Sequence, residues 1–439
     1  MEYSYGSPAA AQDQPRQSYT ATRGERISAL LSYILGFSYI IWTGIFWQGH
    51  ALQSAGLALS LVLIVLMTEL EGRDIPRSRE SIVWLCCLSA VTVSWINPRD
   101  TVWEDYQSAL FVHAFAVWWV ISRLGRLLEG ESSHLLPADA FNGLVVFPFG
   151  NMWRRLATLF SAAKDRKAER RSSRDLSGAL WAAAGIAAVL FLFFKAASLL
   201  LMADSGFLSH FNDLFRFFSD LASDIGDFVE SLNLWSFVLS IPVGAWLFGL
   251  VTGAFRTTEE RLAGQRGGIL SLLARIRKVP HWVWTAAACL FSVLYLAFFV
   301  LQSSYLFGAF TGRLPEGFIV SQYAREGFFE LCRVIAVNFA LLWLITRMSR
   351  GDGALPKPLL ICCLAILAES MLFAVIAMSK IGLYISIFGF TPKRLQSSWL
   401  VLVILSGCGC WTYSLLTGRR SFRMWMTASA VTLAALSLI

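Results

Sequence analysis

Apolar stretches of about 20 residues, separated by short polar loops, recur along the whole chain and restrict its fold more than any other feature. Each stretch is long enough to cross the hydrocarbon core of a bilayer as a helix. The stretches are continuous and do not alternate with polar residues, which excludes a transmembrane β-barrel. Hydrophobic residues make up 56% of the 439 residues and charged residues only 15%, which excludes an ordinary soluble protein. The sequence predicts an all-α polytopic membrane protein with about 11 transmembrane helices.

Loop charge predicts the orientation of these helices. The basic residues are concentrated in alternate loops, at residues 73–79, 123–174, 256–278, 347–357 and 419–423. Because basic loops stay on the cytoplasmic side, we expect the N-terminus in the cytoplasm and the C-terminus outside. Lys380, Lys393 and Arg394 fall in a predicted outer loop and oppose the rule.

The same pattern divides the chain into four parts. Residues 1–26 are polar and lack the apolar core of a signal peptide, so we expect a disordered cytoplasmic tail. Residues 27–122 form a predicted four-helix membrane segment. Residues 123–177 are expected to form a cytoplasmic interfacial helix and a polybasic loop. Residues 178–439 form the predicted C-terminal membrane segment.

Two connecting segments are amphipathic. Apolar residues at helical spacing over residues 152–160 precede a polybasic run over residues 164–174, which suits binding to anionic lipid at the cytoplasmic face. The alternative is that the run only fixes topology. Residues 204–232 combine an apolar stripe with six acids and one arginine, which predicts an outer amphipathic helix. That helix is either a lid without a ligand, or a surface for a partner protein or a second copy.

Several ligand classes are excluded. The net charge of +8 arises in the short loops, so it indicates topology and not binding to nucleic acid. The eight cysteines lie in predicted spans, the five histidines are scattered, and neither shows the spacing of metal ligands. We therefore predict no metal site, no disulfide framework and no cofactor.

The densest polar run at the border of an apolar stretch is QYAREGFFEL, residues 322–331. It carries Tyr323, Arg325, Glu326 and Glu330, and Arg333 follows one turn later. Glu326, Glu330 and Arg333 share one helical face because residues three and four apart are neighbours. The face either holds a structural Glu330–Arg333 ion pair or belongs to a binding site.

Three polar side chains lie deeper in predicted spans: Lys195, Asn338 and Glu369. An unpaired charge at such depth costs several kcal/mol, roughly 2.5–3.5 kcal/mol on insertion scales. Each of these residues therefore needs a partner or a polar cavity. A Lys195–Glu369 pair is one possibility, although the sequence does not fix which helices are neighbours.

Three segments resemble an uncharacterised bacterial membrane family, domain of unknown function 4173, which is related to family 4153. They are QSSYLFGAF at residues 302–310, QYAREGFFEL at 322–331 and MSKIGLYISIFGFTPKRL at 378–395. The resemblance covers roughly residues 291–399. It implies a multi-pass protein of the bacterial cytoplasmic (inner) membrane and no particular chemistry. The residues that match the family pattern are Tyr323, Arg325, Gly327, Phe328, Tyr384, Gly389, Thr391 and Arg394.

The predicted orientation brings two of these segments to the outer ends of neighbouring antiparallel helices. A candidate ligand site follows there, formed by Tyr323, Arg325, Glu326, Glu330, Arg333, Lys380, Tyr384, Thr391 and Arg394. Its basic residues suit an anionic or zwitterionic ligand, bound for transport or sensing. Two alternatives stay open: an enzyme that uses Glu326 and Glu330 on a lipid-linked substrate, although no catalytic motif is present, or an accessory or scaffold subunit.

Overall fold

The structure is a computed structural model that describes residues 20–96, 102–168, 220, 233–311, 319–350 and 355–438. In these residues all regular elements are helices, and the one β feature is an isolated bridge between Val279 and Ser349. The prediction of an all-α protein is therefore confirmed. The predicted span at residues 178–202 with its Lys195, and the predicted helix at 204–232 apart from Asp220, lie outside the described residues.

The first half of the described chain contains helices α1 Arg23–Thr43, α2 His50–Glu71, α3 Arg79–Val93, α4 Val102–Arg123, α5 Leu136–Phe141, α6 Phe147–Asn151 and α7 Arg154–Ala168. The second half contains α8 Leu234–Arg256, α9 Glu259–Ile276, α10 His281–Leu301, α11 Ser303–Phe307, α12 Val320–Met348, α13 Lys357–Phe388, α14 Pro392–Thr417 and α15 Phe422–Leu436. A π-helical turn, Asn142–Val146, joins α5 to α6, and a 3₁₀ turn, Gly308–Thr311, follows α11.

Seven of the described helices are long and apolar enough to cross a membrane: α1, α2, α8, α10, α12, α13 and α14. The shorter α15 is also apolar. Helices α3 and α4 belong to the predicted four-helix membrane segment of residues 27–122 but are not among the seven. The protein is therefore a multi-pass helical membrane protein, and the count of about 11 spans stays a prediction.

The chain divides into two compact units, and the first contains residues 1–73 and 147–253. In its described part, α1 crosses α8 where Gly36 meets Gly244, so closely that a methyl group on either glycine would overlap the backbone of the other helix. Such close backbone contact through small residues is typical of packing between membrane helices. Arg155 of α7 is buried here, donates to the Ile241 carbonyl at 2.9 Å, and stacks 4.2 Å from the ring centre of Tyr33.

The second unit contains residues 74–146 and 254–439. Here α13 packs between α10, α12 and α14, while α3 packs against α4 and α15. Aromatic residues of α10, α12 and α13, among them Phe299, Phe328 and Phe373, fill one buried cluster of this bundle. A second buried cluster around Leu342, Leu359 and Ile366 fills the other end.

Hydropathy predicts spans over residues 327–346 and 359–378, and helices α12 and α13 both extend beyond them. Helix α13 continues past Met378 to Phe388, and α12 begins at Val320, ahead of Gly327. Lys380 was expected in an outer loop, and that expectation is wrong: it lies on α13 and is fully buried. A charged residue lowers the hydropathy of its surroundings, so the predicted span ended nearly three turns too early.

Candidate functional site

The side chain of Lys380 lies between two tyrosine rings where the end of α13 meets the start of α12. Its Nζ atom is 3.7 Å from the ring centre of Tyr305 on α11 and 3.8 Å from that of Tyr323 on α12. Lys380 and Tyr323 are both 0% exposed. An ammonium group at this distance from an aromatic face makes a cation–π contact.

The two tyrosines are held in place by each other. The Tyr323 hydroxyl donates to the backbone carbonyl of Tyr305, and the rings meet edge to face with centres 5.3 Å apart. Because α11 directly follows α10, this hydrogen bond anchors the connection after α10 onto α12. The Tyr305 ring is thereby fixed over Lys380.

Gly327 makes room for the lysine. It lies one turn after Tyr323 on α12, and a methyl group added at Gly327 would overlap the end of the Lys380 side chain. The glycine therefore leaves the space that the Lys380 side chain occupies, and its φ is that of an ordinary helix.

The carboxylate of Glu330 lies at the edge of this group. The Tyr305 hydroxyl donates to its Oε2 at 3.2 Å. Burial of the hydroxyl and the neighbouring Glu330 carboxylate raise the pKa of Tyr305 to about 12. The hydroxyl therefore keeps its proton at neutral pH and remains a donor to Glu330. The Glu330 carboxylate also attracts the Lys380 amine electrostatically.

The Nζ atom of Lys380 has no hydrogen-bond partner among the described residues. It makes no ion pair with Glu330 or any other described acid. A buried amine normally has a hydrogen-bond partner. Leaving its N–H donors without an acceptor costs about 1–3 kcal/mol, and more if the group is charged. Cation–π contacts at desolvated sites supply about 2 kcal/mol but do not satisfy the N–H donors. An anion would supply the missing acceptor.

The remaining α12 residues of the predicted site lie on the exposed face of the helix. Arg325, Glu326 and Arg333 are exposed, and Glu326 accepts from the Gln322 amide at 3.1 Å. No ion pair joins Glu330 to Arg333 in the described part of the chain. Glu330 is engaged with Tyr305 instead.

Tyr384, Thr391 and Arg394 meet at the turn between α13 and α14. The Arg394 guanidinium lies 4.3 Å from the Tyr384 ring centre and donates to the Phe388 carbonyl at 2.8 Å and to the Gly389 carbonyl. The Thr391 hydroxyl caps the start of α14 by accepting from the backbone N–H of Arg394. These contacts satisfy carbonyls at the end of α13, so Arg394 closes the turn.

Asn338 and Glu369, predicted as intramembrane polar residues, have partners deeper between α10, α12 and α13. The Tyr295 hydroxyl donates to Asn338 Oδ1, and the Asn338 amide donates to Ser370 Oγ at 2.9 Å. The Ser292 hydroxyl donates to Glu369 at 3.2 Å. This network answers the need for partners that the sequence raised, and its members contact one another across three helices.

Sequence reasoning named Tyr323, Glu330 and Lys380 but missed two residues that complete the group. Tyr305 lies within the segment QSSYLFGAF, so the resemblance contained the signal without singling out that residue. Gly327 was named only as a match to the family pattern, and the lysine that requires it became visible only in the structure.

A second polar cluster lies around Glu80, at the start of α3. Glu80 is 5% exposed and accepts from Trp84 Nε1 at 3.0 Å, from the Ser132 backbone at 3.2 Å and from the Ser132 hydroxyl. It also pairs with Arg423 Nε at 3.2 Å, and the same arginine pairs with the exposed Glu131. This cluster joins α3, the segment after α4 and the start of α15.

Neighbouring groups extend the Glu80 cluster. Arg420 pairs with Glu129 at 3.2 Å, and His134 lies 3.5 Å from the same carboxylate. Asp139 is 0% exposed, and its Oδ1 accepts from the Leu128 N–H at 2.8 Å. Burial, with smaller contributions from Glu129 and Glu80, raises the pKa of Asp139 to about 6.

Comparison with known proteins identifies a family. The profile of a family described as domain of unknown function (DUF4153) matches residues 80–439, which include both polar clusters. This is the family that the sequence motifs suggested as a relative of family 4173, and the match extends well beyond residues 291–399. No curated protein and no solved structure matches the chain significantly.

Proposed function

The chain belongs to the DUF4153 family, and we propose that it is a multi-pass protein of the bacterial cytoplasmic membrane that binds an anionic or zwitterionic ligand at Lys380 for transport or sensing. The observation that carries this proposal is the buried Nζ atom of Lys380, which lacks a hydrogen-bond acceptor among the described residues. A fold has no reason to keep such a group unless a bound partner satisfies it, because an apolar residue would fill the space at lower free energy.

The surroundings of Lys380 favour a small anion. The amine offers up to three donors, which suit a carboxylate or phosphate oxygen. The faces of Tyr305 and Tyr323 flank it, and Glu330 lies at the edge of the group. A ligand that carries both a carboxylate and an amine would place the first at Lys380 and the second at Glu330.

The predicted topology supports entry of the ligand from outside. With about 11 spans and a cytoplasmic N-terminus, the Lys380 end of α13 faces outward and the Lys357 end faces the cytoplasm. The basic residues Arg347 and Arg350 at the end of α12 agree with that orientation. Arg325, Glu326 and Arg333, exposed near the same end, then line the approach to the site.

The proposal also includes the domain boundaries that the sequence predicts and a contact with lipid. The chain has four parts: residues 1–26, 27–122, 123–177 and 178–439. Anionic lipid at the cytoplasmic face binds the interfacial segment of residues 150–175. The exposure of Trp153, Leu156 and Phe160 supports this arrangement, since these side chains leave one side of residues 153–160 apolar and uncovered by described residues.

The test compares Lys380→Met with Lys357→Met in the full-length protein in detergent. Lys357 is the matched control, because it lies on the same helix but is exposed at the other end. Thermal unfolding is followed with inorganic phosphate, acetate or glycine added in turn, with chloride at equal ionic strength as the reference. A ligand at 100 times its dissociation constant stabilises the folded state by about 2.7 kcal/mol.

We expect at least one of the three probes to raise the unfolding temperature of the wild type and of Lys357→Met, and none to raise that of Lys380→Met. Lys380→Met itself should unfold at or above the wild-type temperature without ligand. Equal shifts in all three proteins, or no shift in the wild type, would overturn the assignment of Lys380. The second result would move the interpretation to an accessory or scaffold subunit, or to an enzyme that uses Glu326 and Glu330 on a lipid-linked substrate.

A further inference from the structure

Two cysteine thiols meet between α10 and α13, away from the Lys380 site. The Sγ atoms of Cys289 and Cys362 are 3.4 Å apart, and both thiols are free. A disulfide has an S–S distance of about 2.05 Å, so the sulfurs need to approach by only about 1.4 Å to bond. Neighbouring helices that are already packed can accommodate a movement of that size through side-chain rotation.

The pair is open on one side. Cys289 is exposed and Cys362 is partly buried behind it. The residues of α10 around Cys289 that are also exposed are apolar, with Leu290 69% and Val293 63% exposed. Because α10 is one of the seven apolar helices long enough to span a membrane, this surface suits lipid and not water.

We propose that Cys289 and Cys362 form a dithiol site that a lipid-soluble two-electron oxidant of the quinone class converts to a disulfide. The two S–H bonds break and one S–S bond forms. The two electrons and two protons pass to the quinone, which becomes a quinol, so atoms and charge balance. Hydrophilic oxidants and thiol reductants partition poorly into hydrocarbon, so the state of this pair follows redox carriers dissolved in the bilayer.

A disulfide here would connect the helix that carries Lys380 to the helix that leads to Tyr305. Cys362 lies on α13 with Lys380, and α10 continues directly into α11 with Tyr305. Oxidation therefore restrains the two elements that place a tyrosine ring over the lysine. The proposed chemistry of the pair does not depend on whether Lys380 binds a ligand.

The test uses the full-length protein in lipid nanodiscs, treated with a fully substituted short-chain benzoquinone. Remaining thiols are then alkylated in denaturant, and the digest is analysed by mass spectrometry. We expect two of the eight thiols to be lost and one cross-linked peptide pair, Cys289 with Cys362, to appear. Quinone absorbance should fall by one equivalent per protein.

Three variants make the result specific. Cys289→Ser and Cys362→Ser should each abolish the cross-link, whereas Cys363→Ser, which removes the adjacent thiol, should retain it. A membrane-impermeant aqueous oxidant should give at least tenfold less cross-link than the quinone at equal concentration. Free Cys289 and Cys362 after quinone treatment, or a cross-link that forms equally well with the aqueous oxidant, would overturn the proposal.

Discussion

Lys380 and Glu80 are both charged residues buried in the same compact unit, but their surroundings differ. Glu80 accepts from Trp84 and Ser132 and pairs with Arg423. Lys380 is enclosed by aromatic rings, and its amine has no hydrogen-bond partner among the described residues. A buried charge with several partners holds elements of the fold together, and removing it leaves those partners unsatisfied. A buried charge without hydrogen-bond partners reduces stability, which indicates a role in ligand binding and not in holding the fold together.

The first prediction tests the structural side of this comparison and has the largest expected effect. Glu80→Ala should lower the free energy of unfolding by about 3–5 kcal/mol, because it leaves the Trp84 indole and the Ser132 N–H without an acceptor and Arg423 with one carboxylate fewer. Denaturation of the purified protein in mixed micelles, followed by tryptophan fluorescence, measures the change.

Glu131→Ala is the matched control for Glu80→Ala, since Glu131 pairs with the same arginine but its side chain is 52% exposed. It should change stability by less than about 1 kcal/mol. If the two variants were equally stable, the Glu80 cluster would not be the structural counterpart of Lys380, and the comparison would fail.

Asp139 lies between the two extremes, because its Oδ1 has a partner while its Oδ2 has none among the described residues. Its pKa is raised from an ordinary value of 3.8 to about 6, chiefly by burial. A raised carboxyl pKa means that folding favours the protonated form. The resulting stability is fully present below pH 3.8 and is lost as the pH rises towards about 6.

The second prediction follows from that sign. Between pH 3.8 and about 6, the contribution of Asp139 to the free energy of unfolding changes by roughly 3 kcal/mol at most. Asp139→Asn keeps the acceptor for the Leu128 N–H and stays neutral, so its stability should depend less on pH over this range and exceed that of the wild type at pH 7. The slope of unfolding free energy against pH, with the exposed Glu260→Gln as control, measures this. An unchanged slope in Asp139→Asn would show that another group titrates.

Hydropathy and helical spacing predicted the helical class and the multi-pass organisation. These properties follow from short-range regularities, since a span needs a length and a helix repeats every 3.6 residues. The intramembrane polar residues Asn338 and Glu369 were also predicted to need partners.

The identity of the partners was not predictable in the same way. Tyr295 and Ser292 lie on α10, far from Asn338 and Glu369 along the chain, and only helix packing brings them together. Likewise, spacing placed Glu330 and Arg333 on one face, but it gave no indication that Tyr305 would approach Glu330. Periodicity specifies which side of a helix faces inward and leaves open which neighbour it meets.

The third prediction returns to Lys380 and has the smallest effect on stability. Gly327→Ala places a methyl group where the end of the Lys380 side chain lies, and that end is flexible enough to move aside. The strain is offset by the higher helix propensity of alanine, about 1 kcal/mol. The free energy of unfolding should therefore change by less than about 1 kcal/mol, while Lys380 loses its place between the tyrosine rings.

Gly382→Ala is the matched control for Gly327→Ala. Gly382 lies on the same helix as Lys380, and a methyl group added there meets nothing within 4 Å. Whichever of phosphate, acetate or glycine stabilises the wild type should stabilise Gly382→Ala equally and Gly327→Ala little or not at all. Both variants carry the same substitution, and only Gly327→Ala displaces the lysine, so a difference between them assigns ligand binding to that geometry and not to the net charge of the region. An undiminished shift in Gly327→Ala would mean that the ligand does not require Lys380 between Tyr305 and Tyr323, and the contrast with Glu80 would then be one of packing alone.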